Sequence, residues 1–389
     1  MRCAACAHFT ATTVAAASSN DVKPRRLAPV RMAALPSVEE RRARCVEALE
    51  RGRAMPGDAK LDVTLRVQLR PLGQSRIEIE RKQHAVELIR VAVQTRFPEA
   101  ALEPFGSTRS GLATRGSDVD VHCDLHTTSK SVPSQVRALA RLLPRALPSE
   151  SRAKVVAVLA QTRVPLIKLS MEHDVRVDLT FSSEQYGVYN SDLIGLYCRE
   201  QRVAQVVKLV KLWAKLRGVG DASKGYLSSY SWTLLVLAFM QRLPASLGAP
   251  LLPNLQDAKR APMDVDVVVG PYRIAYSKEF TPVGKAQSPP LGTLLRLFFA
   301  YLVAFDWETR AVTIAADEHG KPGDAPAWSL AIMDPFETDR DLGSTLQGSK
   351  PRCTRILDEA FKAFRALERA EEGDVHSLFA PRAQPRVPA

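Results

Sequence analysis

The residues of this chain best placed to do chemistry lie between Phe105 and Asp124, FGSTRSGLATRGSDVDVHCD. Asp118 and Asp120 alternate there with Val119 and Val121. On a β-strand, residues two apart share a face, so the carboxylates stand side by side while the valines enter a core. Two carboxylates about 4 Å apart repel by roughly 4 kcal/mol at an effective dielectric of about 20, so the pair calls for a cation. A hard divalent ion such as Mg²⁺, which takes carboxylate and phosphate oxygens together with water, fits that need. Just upstream, Gly106-Ser107 offers backbone N–H groups and a hydroxyl with no bulky side chain, a turn suited to cradling a triphosphate. His122 continues the polar face two residues on, as a supporting or solvent-facing group.

Stepping outward, a helix over Ser37 to Met55 opens on Ser37 with Glu40 three residues later. Thr64 to Leu69 reads as a short extended piece. Gln83 to Arg96 repeats Val86, Ile89 and Val93 at helical spacing and ends before Pro98, and Ser134 to Leu143 is a second helix stopped by Pro144. Two strands follow, Val164 to Ser170 and Asp174 to Ser182. The second alternates strictly, with Val175, Val177, Leu179 and Phe181 inward and Asp178 on the polar face. After Ser183 the pattern is mostly helical. Val203 to Arg217 buries Val203, Val206, Val207, Val210 and Trp213 and aligns Lys208, Lys211 and Lys215 on another stripe, where no acid partners them. Gly225 to Gln241 is a buried helix behind a Ser-Ser-Tyr-Ser start. Pro244 to Pro290 is Pro-rich with extended runs at Val265 to Val269 and Tyr272 to Tyr276. Leu291 to Val303 reads as a helix and Ala311 to Ala315 as a strand. In Ile332 to Gly343, IMDPFETDRDLG, Asp334 and Glu337 lie three apart and can face one point. Thr354 to Arg369 closes the ordered chain as a helix, and residues 373–389 read as a disordered tail.

Gly106-Ser107 followed by Asp118-Val119-Asp120 resembles the signature of the nucleotidyltransferase superfamily shared with DNA polymerase beta, in its subfamily of noncanonical poly(A) polymerases and terminal uridylyltransferases. The KLWAK string, the Ser-Tyr-Ser-Trp start and the Asp-Pro-Phe-Glu loop extend the resemblance over residues 84–370. It implies an α+β architecture: a polymerase beta-like domain, a mixed sheet with helices, over 37–183, and a mainly helical nucleotide-recognition domain over 184–372, with a cleft between them. Residues 37–55 are free to pack on the second domain, and 244–290 is a variable insert. It also implies that Asp118, Asp120 and Asp178 hold two Mg²⁺ or Mn²⁺ ions and carry catalysis. UTP would then meet Gly106 and Ser107, Asn190 and Ser191 at its sugar and base edge, Lys211 and Lys215 at its β and γ phosphates, Ser229 on phosphate, and Tyr230 flat against the base. Asp334 and Glu337 would read uracil. Adenylate-preferring members of the subfamily are taken to carry a histidine near this loop, which has none here, and that favours UTP over ATP. Asp341 departs from the Asn usual at its place. In the bland reading Asn190 or Ser191 simply caps a helix.

The implied activity is transfer of UMP from UTP to an RNA 3′-hydroxyl with release of pyrophosphate. Two other readings stay open: an ATP-using poly(A) polymerase, and a silent nucleotide- or RNA-binding scaffold. The formal charge of +12 over 389 residues agrees with an anionic partner such as RNA. Residues 1–36 carry Arg2, Lys23, Arg25, Arg26 and Arg31 against Asp21 alone, resembling an organellar transit peptide. The short separation of Asp124 from Asp178, together with this leader, makes the chain most similar to the compact mitochondrial uridylyltransferases of kinetoplastid protists, including one associated with an editosome-like complex. A mitochondrial matrix location follows as an expectation, with the cytoplasm as the alternative. No run reaches the roughly 18 apolar residues of a membrane span. Cys3 and Cys6 form a lone CxxC without a second ligand pair, so the six cysteines give neither a zinc site nor a disulfide framework.

Overall fold

In the computed structural model, which describes residues 35–126, 132–243, 247, 250–280, 289–315, 320–369 and 372–380, the alternating stretch at Asp118 is the second strand of a five-stranded sheet. The strands are β1 (Ala101–Phe105), β2 (Val119–Asp124), β3 (Lys154–Leu159), β4 (Leu166–Ser170) and β5 (Arg176–Phe181), in the spatial order β1-β2-β5-β4-β3. Only β2 and β5 run parallel; the other pairs are antiparallel. Val119, Val121, Val177, Leu179, Ile167 and Leu169 point to one face. There they meet α3 (Arg76–Gln94) through Ile89 and Val93, and α5 (Val132–Ala146) through Leu139 and Leu143. The opposite face keeps the polar members of the alternation, and it is this face that holds the site.

A second, larger core is helical. It joins α6 (Tyr186–Tyr197), α7 (Gln201–Arg217), α8 (Ser229–Gln241), α9 (Leu291–Ala304) and α10 (Lys350–Arg369) around Trp213, Trp232, Phe298, Phe299 and Phe364. Helices α1 (Val38–Arg51) and α2 (Asp58–Leu69) precede the sheet in sequence yet pack on this core, chiefly on α9. Arg41 pairs with Asp358, and Arg44 Nη2 with Glu368 Oε2 at 2.8 Å. No helix among the described residues is long and apolar enough to cross a membrane.

Several elements differ from their sequence reading. Thr64 to Leu69 is not extended: it lies in α2, because Leu61 and Leu65, four apart, bury against α9 and override the β-branched Val63, Thr64 and Val67. α3 begins at Arg76 rather than Gln83, where Ser75 caps it by accepting the Glu78 N–H at 3.1 Å. α5 runs through Pro144 to Ala146, carrying the buried Leu143 to its end. Ala311 to Ala315 forms only a single bridge, Val312 to Ile332. Residues 265–276 form a hairpin of β6 (Val265–Val269) and β7 (Tyr272–Tyr276) that buries Ile274 and Tyr276 in the helical core. The expected tail does not begin at 373: α11 (Glu372–Leu378) packs on α10 and α2, burying Val375 and Leu378. Residues 381–389, the leader through residue 34 and the Cys3–Cys6 pair lie outside the described residues.

Candidate active site

Strand pairing brings the third carboxylate to the first two. Asp120 on β2 and Asp178 on β5 are register partners in adjacent parallel strands. Asp118 lies one residue before β2. Burial, then Asp178 and Asp118, push the Asp120 carboxyl up to about 7, while Lys168 and Lys211 pull it back. The outer carboxylates have cations of their own: Lys168 on β4 pairs with Asp178, and Arg176 Nε lies 2.6 Å from Asp118 Oδ1. The Arg176 contact is off the hydrogen-bonding direction, so that buried oxygen has no aligned donor. Among the described residues no three carboxylate, thiol or imidazole groups close into a metal-holding cluster. The donor set nonetheless fits a hard divalent ion, because burial and two like charges penalise the ionised Asp120 carboxylate, and a cation would relieve that penalty.

The turn after β1 is built around Asp120. Gly106 sits at φ +64°, and a Cβ there would lie 2.4 Å from Asp120 Oδ2, so only glycine lets the turn close on the carboxylate. The Gly106 N–H donates to Ser191 Oγ at 2.7 Å, and the Ser191 hydroxyl donates to Gly187 O at 2.5 Å. Ser191 therefore locks the turn to α6. Neither Asn190 nor Ser191 is a cap, since both lie in the middle of that helix.

A cavity of about 810 Å³ opens above the turn. Gly106, Ser107, Asp118 and Asp120 form its floor, and Asn190, Ser191, Lys208, Lys211 and Lys215 one wall. Burial and the neighbouring Lys208 hold the Lys211 ammonium below its usual range, with Asp120 opposing. None of the three lysines makes an ion pair among the described residues. Ser229 and Tyr230 complete the wall at the start of α8, whose cap is Ser228, accepting the Ser231 N–H at 3.0 Å. A helix N-terminus and three lysines around one space favour an anion with several phosphates.

Asp178, Asp334 and Glu337 do not line this cavity. Asp334 and Glu337 are 1% and 3% exposed. Tyr230 donates its hydroxyl to Asp334 Oδ2 at 3.0 Å and Asn190 Nδ2 to the same oxygen at 3.3 Å, while the N–H groups of Phe336 and Glu337 hold Oδ1. Burial, then Asp334, carries the Tyr230 phenol well above its ordinary range, so it remains a donor. Glu337 accepts from Arg163 Nη2 on the β3–β4 loop and from Arg340 Nη1, each at 2.5 Å. Both acids expected to read uracil have their oxygens occupied by protein donors, and Arg340, 3.9 Å from Asp334 Oδ2, is the member of the loop at the cavity wall. Arg340 and Arg163 escaped the sequence reading. Arg340 had a local signal, three residues after Glu337; Arg163 had none. Asp341, the departure from the family pattern, accepts the N–H groups of Ile332 and Gly343 at 2.9 and 2.7 Å and so shapes the loop. His122 is buried, its Nε2 unpartnered, and burial holds its imidazole below the usual range.

Comparison with known proteins agrees with this geometry. Residues 61–199 match the family model for the central palm domain of mitochondrial-like poly(A) RNA polymerase. The chain is 27% identical over 318 residues to Poly(A) RNA polymerase GLD2-A of Xenopus laevis, covering 79% of this chain and 60% of that protein. It is 26% identical over 317 residues to Terminal uridylyltransferase cid1 of Schizosaccharomyces pombe, covering 75% and 74%. The chain thus spans about 60% of the length of the Xenopus relative. A solved structure of Cid1, described as an RNA terminal uridylyl transferase, superposes with a TM-score of 0.69 at 25% identity, over 85% of this chain and 100% of that one. The structure of mtPAP in complex with UTP shares the fold, with a TM-score of 0.71 at 20% identity over 90% and 76%. The chain is thus similar to nucleotidyltransferases of the noncanonical poly(A)/poly(U) polymerase group and has the polymerase beta-like fold.

Proposed function

We propose that this chain is a metal-dependent terminal RNA uridylyltransferase, adding UMP from UTP to RNA 3′-hydroxyl ends and releasing pyrophosphate. The observation that carries the reading is Asp120, in register with Asp178 beneath the Gly106 turn, sharing one cavity with Lys211. Asp118, Asp120 and Asp178 would hold Mg²⁺ or Mn²⁺, two ions in the family pattern, and when bound this metal supplies positive charge to the phosphate oxygens and acidifies the attacking hydroxyl. Lys208, Lys211 and Lys215, with Ser107 and Ser229, bind the triphosphate. Tyr230, its hydroxyl tied to Asp334, presents its ring to the base, a contact worth about 1–3 kcal/mol that reads no sequence. Asp178, in register with Asp120 on the neighbouring strand, would take the proton of the acceptor hydroxyl.

The choice of base rests on Arg340. A guanidinium only donates, and uracil offers it the O4 carbonyl at the position where adenine carries its 6-amino donor. Asp334 and Glu337 hold Arg340 in place. One observation favours ATP as a second reading: a Cid1 structure from work on its UTP selectivity contains a histidine-to-asparagine variant bound to MgATP. Cid1 structures from the same work also hold 3′-dATP and GTP, so the missing histidine of residues 332–343 does not by itself decide for UTP. Incubation with Mg²⁺, a short RNA and each nucleoside triphosphate in turn is the test. Extension with UTP above all others is expected, and extension with ATP exceeding UTP refutes the uridylyl reading. Mitochondrial RNA processing or editing, with an editing-type protein complex and a kinetoplastid-like relationship, is the setting we propose from the leader composition.

A further inference from the structure

The polar face of the sheet extends beyond the nucleotide cavity. In register across the strands, one row runs Phe105, Asp120, Asp178, Lys168 and Ala157. The cavity occupies one end of this row: its wall includes Asp120 and Lys211, but neither Lys168 nor any residue of β3. Past Asp178 the face is open. Lys168 pairs with Asp178 while 40% of its side chain stays exposed. In the flanking rows Ser170 faces the exposed Lys154 of the edge strand β3, and Leu166 faces Leu159, itself 43% exposed. The β4–β3 half of the face therefore offers two lysines and a small apolar surface, and neither strand contributes an acid.

We propose that this open half-face seats the 3′-terminal nucleotides of a single-stranded RNA acceptor, with Lys168 holding the last phosphodiester so that the terminal hydroxyl meets Asp178. The proposal rests on the reading of the chain as an RNA nucleotidyltransferase and assigns that reaction's second substrate. The lysines of α7 collect the triphosphate on the α6–α8 side, so an acceptor reaching Asp178 arrives from the side the nucleotide leaves free. A phosphate on that path meets Lys168 first. The ammonium is a mobile point charge on a flexible stem, able to bridge carboxylate and phosphate at once. Leu159 and Leu166 beyond it offer a base a small apolar surface that makes no hydrogen bonds to its edge. An edge-strand lysine such as Lys154 also blocks strand-to-strand aggregation, a role that leaves RNA binding untouched.

The test uses the full chain and a labelled short RNA ending in a 3′-deoxynucleotide, bound without nucleotide across a range of salt. Lys168→Met is expected to weaken binding about tenfold or more, as for a lost charge-assisted bond, and to reduce the salt slope by about 0.7, the value of one single-strand phosphate contact. In steady-state extension it raises KM for RNA and leaves KM for UTP unchanged. Lys168→Arg restores both, and Lys154→Met gives a smaller change in the same direction at an unaltered melting temperature. An unchanged salt slope in Lys168→Met, or a raised KM for UTP with RNA binding intact, overturns the assignment. A wild-type chain that extends no RNA with any nucleotide overturns the functional reading instead, and the binding measurement, which needs no turnover, still decides the RNA seat.

Discussion

Replacing Gly106 with alanine places a carbon 2.4 Å from Asp120 Oδ2 on a backbone at φ +64°. Carbon and oxygen approach to about 3.3 Å even in favourable contacts, so roughly 1 Å must be found. The strand cannot supply it, because β2 is bonded on both sides, to β1 and to β5. The Asp120 side chain must then leave its rotamer, at about 0.5–1.5 kcal/mol. The left-handed backbone adds about 1–2 kcal/mol. The variant should lose about 1.5–3.5 kcal/mol of stability from these two effects. A reacting group displaced by about 1 Å costs on the order of 100-fold in rate. Single-turnover UMP incorporation at saturating UTP and Mg²⁺ measures that loss, with thermal melting alongside. Gly111→Ala is the control: it has φ +73° and nothing within 4 Å of the added carbon, so it carries the backbone strain without the collision. Its rate should stay near wild type while its stability falls. A Gly106→Ala rate within about threefold of wild type, under 1 kcal/mol, refutes the geometry, as does an equal rate loss in Gly111→Ala.

Two further outcomes follow from the site. The Asp120 carboxyl, pushed up to about 7 by burial, Asp178 and Asp118, lies above its unfolded value, so the folded protein loses stability as pH rises through that interval. Chelator-treated protein should melt lower at pH 8 than at pH 5, by roughly the interval that bound Mg²⁺ restores, and Asp120→Asn should flatten the difference; a pH-independent melting temperature in the wild type contradicts the charge cluster. Arg340→Ala should reduce the preference for UTP over the other nucleotides by about tenfold or more in a competitive extension assay, and an unchanged ratio removes Arg340 from base choice.

The parts of the site legible in the sequence are those whose signal is local. Val119 and Val121 alternating with Asp118 and Asp120 define a strand and its polar face within a few residues, and the lysine stripe of α7 follows from helical spacing alone. β1 escaped notice because Pro104 argues against a strand, and the structure places it at a sheet edge, where proline is tolerated. β3 escaped because an edge strand exposed along most of its length leaves no alternation to read. Thr64 to Leu69 misled because its β-branched residues were weighed without Leu61, whose packing on α9 decides the helix.

The selective parts of the site depend on contacts that no spacing encodes. Asp334 and Glu337 look like a pair aimed at one ligand as long as the chain is read alone. Their actual partners are Tyr230, 104 residues away, and Arg163, 174 residues away, and these turn two apparent ligand contacts into supports. Arg163 reaches across from the sheet's β3–β4 loop, so the acid that steadies Arg340 is itself held by the five-stranded sheet. The loop proposed to choose the base and the sheet that carries the carboxylate row are therefore linked by the Arg163–Glu337 ion pair, and a shift of the helical core relative to the sheet would loosen it.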